Sequence, residues 1–268
     1  MIPEEGVLAR IPEIRDPRLD KLYLECTKIK MREVEQKAPA AFEILRDIFD
    51  LEGGITLDVA CGCGTYSHAL AKKFPNINVI GLDSYPEAIS VAKQFYPNGE
   101  TPNLRFEVGD VYDMSDYRKQ AHLVTCLASL HHFDDLEGAL QQIHEVSKDG
   151  GLLYFTDLDR RHVLRFPGKI RLPSGVAVQE GEFFYHALSR GKDEHFVRFL
   201  LQNEILGNGD PNGEDAIENH LEVFSIMSYI AAYIPSEIEG ALRNTGYKGI
   251  EIFPCNGGAT FAGYARRG

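Results

Sequence analysis

The sequence predicts an α/β protein organised on a wound, mostly parallel sheet with helices on both faces, and three observations carry that prediction. From Ile55 onward, short β-rich runs alternate with helical segments. The first run ends in Ala60-Cys61-Gly62-Cys63-Gly64-Thr65 and opens a helix at Tyr66. A glycine turn between strand and helix brings bare backbone close to a ligand. The last two runs, Ile250 to Phe253 and Thr260 to Tyr264, are separated only by a short link through Asn256-Gly257-Gly258, which makes them an antiparallel hairpin.

Taken in order, residues 1–50 read as an N-terminal helical arm or cover. Three prolines lie before residue 18, then apolar residues recur at helical spacing at Leu19, Leu22, Cys26 and Ile29 and again at Phe42, Leu45, Ile48 and Phe49. After the glycine turn, Ala69, Leu70 and Phe74 mark the first crossover helix. Asn78 to Asp83 is the second strand, and Ser84 with Glu87 reads as a capping box for the next helix. Leu104 to Val108 is the third strand, ending at Gly109-Asp110, and His122 to Cys126 is the fourth. Asp135 caps a helix bearing Leu136, Leu140, Ile143 and Val146, and Leu152 to Thr156 is the fifth strand with Asp157 at its end. Residues 160–235 break the rhythm. They hold an aromatic, helix-like run from Glu182 to Leu206 and a glycine-rich loop, and they read as a helical lid insertion. Ser236 and Glu239 then form another capping box ahead of the hairpin, so residues 51–159 and 236–268 make up one ligand-binding domain.

With 40 acidic against 28 basic residues the formal charge is -12, which argues against a protein that grips a phosphate backbone. Five cysteines, without a second pair to match Cys61-x-Cys63, point to a reducing compartment rather than to disulfides or a metal site. The amino terminus lacks a basic region followed by an apolar run, and no apolar stretch is long enough to cross a bilayer. A cytoplasmic protein without membrane partners is expected.

Ligands of wound sheets bind beyond the carboxyl ends of the strands, where strand order reverses. The Gly62-x-Gly64 turn, Asp83 and Gly109-Asp110 all fall there, and a carboxylate ending the second strand can accept both ribose hydroxyls. A dinucleotide fingerprint wants a third glycine, but Ser67 stands in its place, and a Gly-x-x-x-x-Gly-Lys-Ser/Thr loop is absent. A nucleoside cofactor without a pyrophosphate fits best.

On Leu57 to Thr65, Gly81-Leu82-Asp83, Gly109-Asp110-Val111 and Glu145 to Leu152, the chain resembles the class I S-adenosylmethionine-dependent methyltransferases. The resemblance covers about residues 50 to 158 and 236 to 265 and implies a Rossmann-like, seven-stranded sheet. It implies that Asp58 and the loop Ala60, Cys61, Gly62 and Gly64 bind the methionine part. Asp83, with Ser84 beside it, would take the ribose, Asp110 and Val111 the adenine, and Leu127 and Ala128 would face the cofactor. Ala60 departs from the family's first glycine and is therefore expected to need no positive φ. Because a sulfonium methyl is already electrophilic, the protein must chiefly align an acceptor, with a general base where that acceptor carries a proton. His131 and His132 are the candidate bases, and Asp157, Tyr185 and His186 candidate substrate contacts; His195 is a further candidate. Leu127-Ala128-Ser129-Leu130 replaces the Asn/Asp-Pro-Pro-aromatic motif of amino methylases, and with the net charge this points away from nucleic acid. The aromatic insertion suits a small-molecule pocket or, as an alternative use, a homo-oligomer interface. The function expected is methyl transfer to a small-molecule acceptor at O, C or N. A non-catalytic sensor or scaffold that binds the cofactor and a nicotinamide-dependent oxidoreductase are the alternatives.

Overall fold

The computed structural model describes residues 31, 42–48, 53–97, 99–161, 164–167, 182–185 and 232–268. Its strands are β1 (Ile55–Val59), β2 (Asn78–Asp83), β3 (Leu104–Val108), β4 (Ala121–Leu127), β5 (Ser147–Leu158), β6 (Leu164–Pro167), β7 (Glu182–Tyr185), β8 (Tyr247–Cys255) and β9 (Thr260–Arg267). The helices are α1 (Glu43–Ile48), α2 (Thr65–Lys73), α3 (Pro86–Phe95), α4 (Leu136–Val146) and α5 (Pro235–Asn244). Seven strands form one sheet in the order β3-β2-β1-β4-β5-β9-β8. The first five pair in parallel, whereas β9 runs antiparallel to both β5 and β8. Strand order therefore reverses between β1 and β4, which places the crevice beyond Val59 and Leu127.

Alternation along the strands feeds two cores. Leu57, Val59, Ile80, Val124 and Phe155 pack with residues of α4 and α5 on one face. Val79, Leu123, Leu152 and Tyr154 pack with α2, α3 and the buried Phe42 and Leu45 on the other. Phe106 of β3 explains two of the glycines. A Cβ at Gly64 would lie 2.4 Å from its ring and one at Gly81 2.7 Å, so the ring occupies the space that both side chains would need. Gly64 also has φ 79°.

Several expectations need correction. The Ser84–Glu87 capping box does not form: Tyr85 is the N-cap of α3, and Pro86 opens the helix because its missing N–H costs nothing there. Likewise α5 starts at Pro235, and it is Glu237, not Glu239, that reaches back to accept the Ile234 N–H at 2.9 Å. Asp135 does cap α4, accepting the Gly138 N–H at 2.9 Å. The helix-like reading of Glu182 to Leu206 fails at its start, since β7 pairs antiparallel with β6, and aromatic runs suit strands as well as helices. β5 reaches back to Ser147, ahead of the expected Leu152, and β8 to Tyr247, ahead of the expected Ile250, through register shifts with Gly150 and Gly249 at positive φ inside the strands. The first helical set at Leu19 to Ile29 and most of the insertion fall outside the described residues.

Gly64→Ala should destabilise the protein by about 2–4 kcal/mol in denaturant titration, combining left-handed strain with overpacking. Phe106→Leu in the same chain should recover part of that loss, because it opens the space the methyl needs.

Candidate active site

The glycine loop is shaped by its strand-to-helix geometry more strongly than by its residue types. Ala60 has φ 56°, contrary to the expectation that an alanine here would avoid positive φ. The chain must leave β1 sharply enough for the Cys61 N–H to donate to the Leu82 carbonyl at 2.9 Å, and Ser129 Oγ donates to the Ala60 carbonyl at 3.1 Å. These bonds hold a conformation that costs an alanine only about 1–2 kcal/mol. Gly62, at φ 55°, has nothing within 4 Å of where a Cβ would be, so its open side is free for a ligand. Its N–H donates to Asp83 Oδ2 at 2.7 Å, while Asp83 Oδ1 accepts from the Tyr85 N–H at 2.9 Å. The end of β2 thus fixes the loop that leaves β1.

Behind the loop, Asp58 is buried between β2 and β4, level with Gly81 and Thr125. Ser67 Oγ donates to its Oδ2 at 2.5 Å and Thr125 Oγ1 to its Oδ1 at 2.7 Å. Burial nevertheless outweighs these two bonds and pushes its pKa up to about 6, with Asp83 adding repulsion. Burial also raises Asp83, against the two backbone bonds that lower it. Burial and the two carboxylates hold the Cys61 thiol well above its ordinary value, so it is a neutral group. Among the described residues neither Asp58 nor Asp83 has an ion-pair partner.

Across the crevice, Leu127 is buried and Ala128 exposed at φ 55°, its N–H donating to the Thr156 carbonyl at 2.8 Å. Ser129 is buried, and its single hydroxyl proton is shared between the Ala60 carbonyl and the Leu127 carbonyl at 2.9 Å, which ties this turn to the glycine loop. The next turn, Leu130–His132, brings together two residues assigned separate roles from sequence. His131 Nδ1 lies 2.6 Å from Asp157 Oδ1, and the His131 backbone N–H donates to Asp157 Oδ2 at 2.8 Å. Both side chains are buried. With Asp157 accepting at Nδ1, the neutral imidazole carries its lone pair on Nε2. His132 is exposed, with its ring centroid 4.1 Å from that of His131. Desolvation, followed by the neighbouring imidazole, lowers its pKa.

Asp110 is exposed, with Oδ1 accepting the Tyr112 N–H at 3.0 Å, and Val111 is half-buried against the core. Ser84 is exposed beyond β2. Tyr185 ends β7, whereas His186 and His195 lie outside the described residues. Ser129 and Thr125 have no sequence signal of their own, and Ser67 stands out only as a missing glycine.

The methyltransferase-domain family matches residues 50–198, and the chain belongs to it. It is an S-adenosylmethionine-dependent methyltransferase with the Rossmann-like fold of that class. The ubiquinone biosynthesis O-methyltransferase of Coxiella burnetii is 28% identical over 176 residues, covering 66% of this chain and 70% of that protein. A demethylmenaquinone methyltransferase of Thermotoga maritima is 30% identical over 114 residues, 42% of this chain and 48% of that one. Among solved structures, a SAM-dependent methyltransferase from Aquifex aeolicus shares the fold at TM-score 0.57 and 13% identity, covering 89% of this chain and 97% of that one. Phosphoethanolamine N-methyltransferase 2 of Haemonchus contortus, solved with S-adenosyl-L-methionine, gives 0.53 and 15%, covering 81% and 39%.

A carboxyl group with a raised folded pKa holds its proton more tightly in the native state than in the unfolded one. The ligand-free protein should therefore lose stability as pH rises from about 4 to about 6, by about 3 kcal/mol from Asp58, and change little from that source above. Asp58→Asn should flatten this window in urea titrations run at successive pH values; an unchanged slope would contradict the assignment.

Proposed function

We propose that the methyl acceptor is a hydroxyl group on a small molecule and that His131, oriented by Asp157, is the general base. The buried His131–Asp157 pair carries this reading. A hydroxyl is a poor nucleophile until its proton leaves, and a base pinned by a carboxylate is the device that such an acceptor needs. The name of the Coxiella burnetii relative, an O-methyltransferase of ubiquinone biosynthesis, supports transfer to oxygen.

The crevice residues fit the cofactor on structural grounds: an open glycine turn and two carboxylates, one buried and one half-buried, without a cationic partner among the described residues complement a ligand bearing an ammonium and a sulfonium. In this proposal Asp83 and Ser84 take the ribose, Asp110 and Val111 the adenine, and Cys61, Gly62 and Gly64 line the methionine end. Asp58, its oxygens already engaged, acts there by charge. Leu127 and Ala128 lie on the opposite wall. When bound, S-adenosylmethionine supplies a methyl group already activated by the adjacent sulfonium.

The chain's own residues do the rest. His131 Nε2 accepts the acceptor's proton, and Asp157 stabilises the imidazolium that results while fixing the ring's orientation. Buried apolar walls at Leu127 and Leu130 keep water from the reacting centre. The net charge of -12 supports a small neutral or cationic acceptor over nucleic acid. Among the described residues no helix is long and apolar enough to cross a membrane, and the described cysteines are free thiols, which supports the cytoplasm as the compartment.

His131→Gln should lower kcat by about a hundredfold, in the range that general-base catalysis contributes, with cofactor affinity unchanged. S-adenosylhomocysteine formation with a hydroxylated acceptor, followed across pH, measures it. A wild-type rate at every pH would remove His131 as the base.

A further inference from the structure

The two arms of the His131–Asp157 pair come from separate strands, and a second buried connection joins those arms. Arg160, three residues beyond Asp157, is buried. Its Nη1 donates to the Ala232 carbonyl at 3.0 Å and its Nη2 to Glu237 Oε1 at 2.8 Å. Ala232 is fully buried, and the neighbouring Tyr233, also buried, donates its hydroxyl to the Phe133 carbonyl at 2.7 Å. Phe133 is two residues beyond His131, at the end of the same tight turn. The other carboxylate oxygen of Glu237 accepts the Ile234 N–H at 2.9 Å, which fixes the backbone that carries Tyr233. A closed path therefore runs from Asp157 through Arg160, Ala232 and Tyr233 to Phe133 and back through His131.

We propose that Tyr233 and Arg160 are positioning residues, forming a buried brace that holds the His131 turn at hydrogen-bonding distance from Asp157. The inference rests on the reading of that pair as the catalytic base. The physical need is plain. A turn of 3-10 type has one short set of backbone bonds, and Ala128, at its root, sits in a left-handed conformation that favours relaxation. The Asp157 bonds alone would have to resist that relaxation. A buried phenol bond at the far end of the turn shares the load, and it does so without touching substrate or cofactor.

Tyr233→Phe removes one hydroxyl and keeps the ring in the core. It should lower kcat about five- to tenfold, the effect expected of one hydrogen bond, with KM for S-adenosylmethionine unchanged. A merely structural role would not alter the His131 imidazole itself. The downfield proton resonance of its Nδ1–H, protected in the wild type by the buried bond to Asp157, should therefore exchange with water at least about tenfold faster in the variant. Arg160→Lys, which keeps the charge but not the two-armed contact, should shift both readouts in the same direction and serves if Tyr233→Phe does not fold. Unchanged kcat and unchanged proton exchange in a folded variant would overturn the brace. A faster-exchanging resonance in Tyr233→Phe, together with full activity in His131→Gln, would uphold the brace and overturn the base.

Discussion

Asp58 is the constraint on which the rest of the site depends. A carboxylate with no cationic partner among the described residues, deep at the point where strand order reverses, needs its oxygens satisfied, and each partner that does so ties down another element. Ser67 fixes the first turn of α2 to β1, and Thr125 fixes β4 beside it. Asp83 extends the pattern by holding Gly62, and Ser129 closes it by bonding the Ala60 carbonyl from the far side of the crevice. The loops that would hold a cofactor are thus cross-linked before any ligand arrives, which lowers the ordering cost of binding. Two desolvated carboxylates also leave the crevice short of positive charge, and a cationic ligand offsets that directly.

The opposite half of the site follows a different logic. Where Asp58 and Asp83 are acceptors awaiting a cation, Asp157 is engaged three times, by the ring and backbone N–H of His131 and by the Leu158 N–H. In the proposed mechanism one carboxylate sets charge for the cofactor and another sets the orientation of the base. Asp58 comes from β1 and Asp157 from β5, on either side of β4, whose end carries the His131 turn. The glycine loop and the turn that leads to His131 meet through Ser129, so the two halves of the crevice are mechanically linked.

Much of this was legible in the sequence because the strands and the glycine turn obey local rules. β2 and β3 fall at the short β-rich runs Asn78 to Asp83 and Leu104 to Val108, and Asp83, Gly62 and Asp110 lie at the carboxyl edge where a wound sheet places them. What escaped depends on contacts distant in sequence. The Asp157–His131 bond spans 26 residues and the Thr125–Asp58 bond 67, and no spacing rule reports either. Ala60 departs from its expectation because backbone demand, not residue type, sets the turn there; a few hydrogen bonds outweigh the strain of one methyl group. The capping boxes failed for the converse reason. At both helices a proline at the first position fixed the start, and it outweighed a Ser-x-x-Glu pattern that is only a local preference.

The most direct test of the account is the number of protons exchanged when S-adenosylmethionine binds, measured by calorimetry in buffers of differing ionisation enthalpy. If burial holds the Asp58 and Asp83 carboxyls above their ordinary values until a cation compensates them, binding should release protons, most strongly near pH 6, where Asp58 titrates, and hardly at all by about pH 8. S-adenosylhomocysteine, which lacks the sulfonium charge, should release fewer. Binding of both ligands without proton release across that range would contradict the claim that uncompensated buried carboxylates define the site.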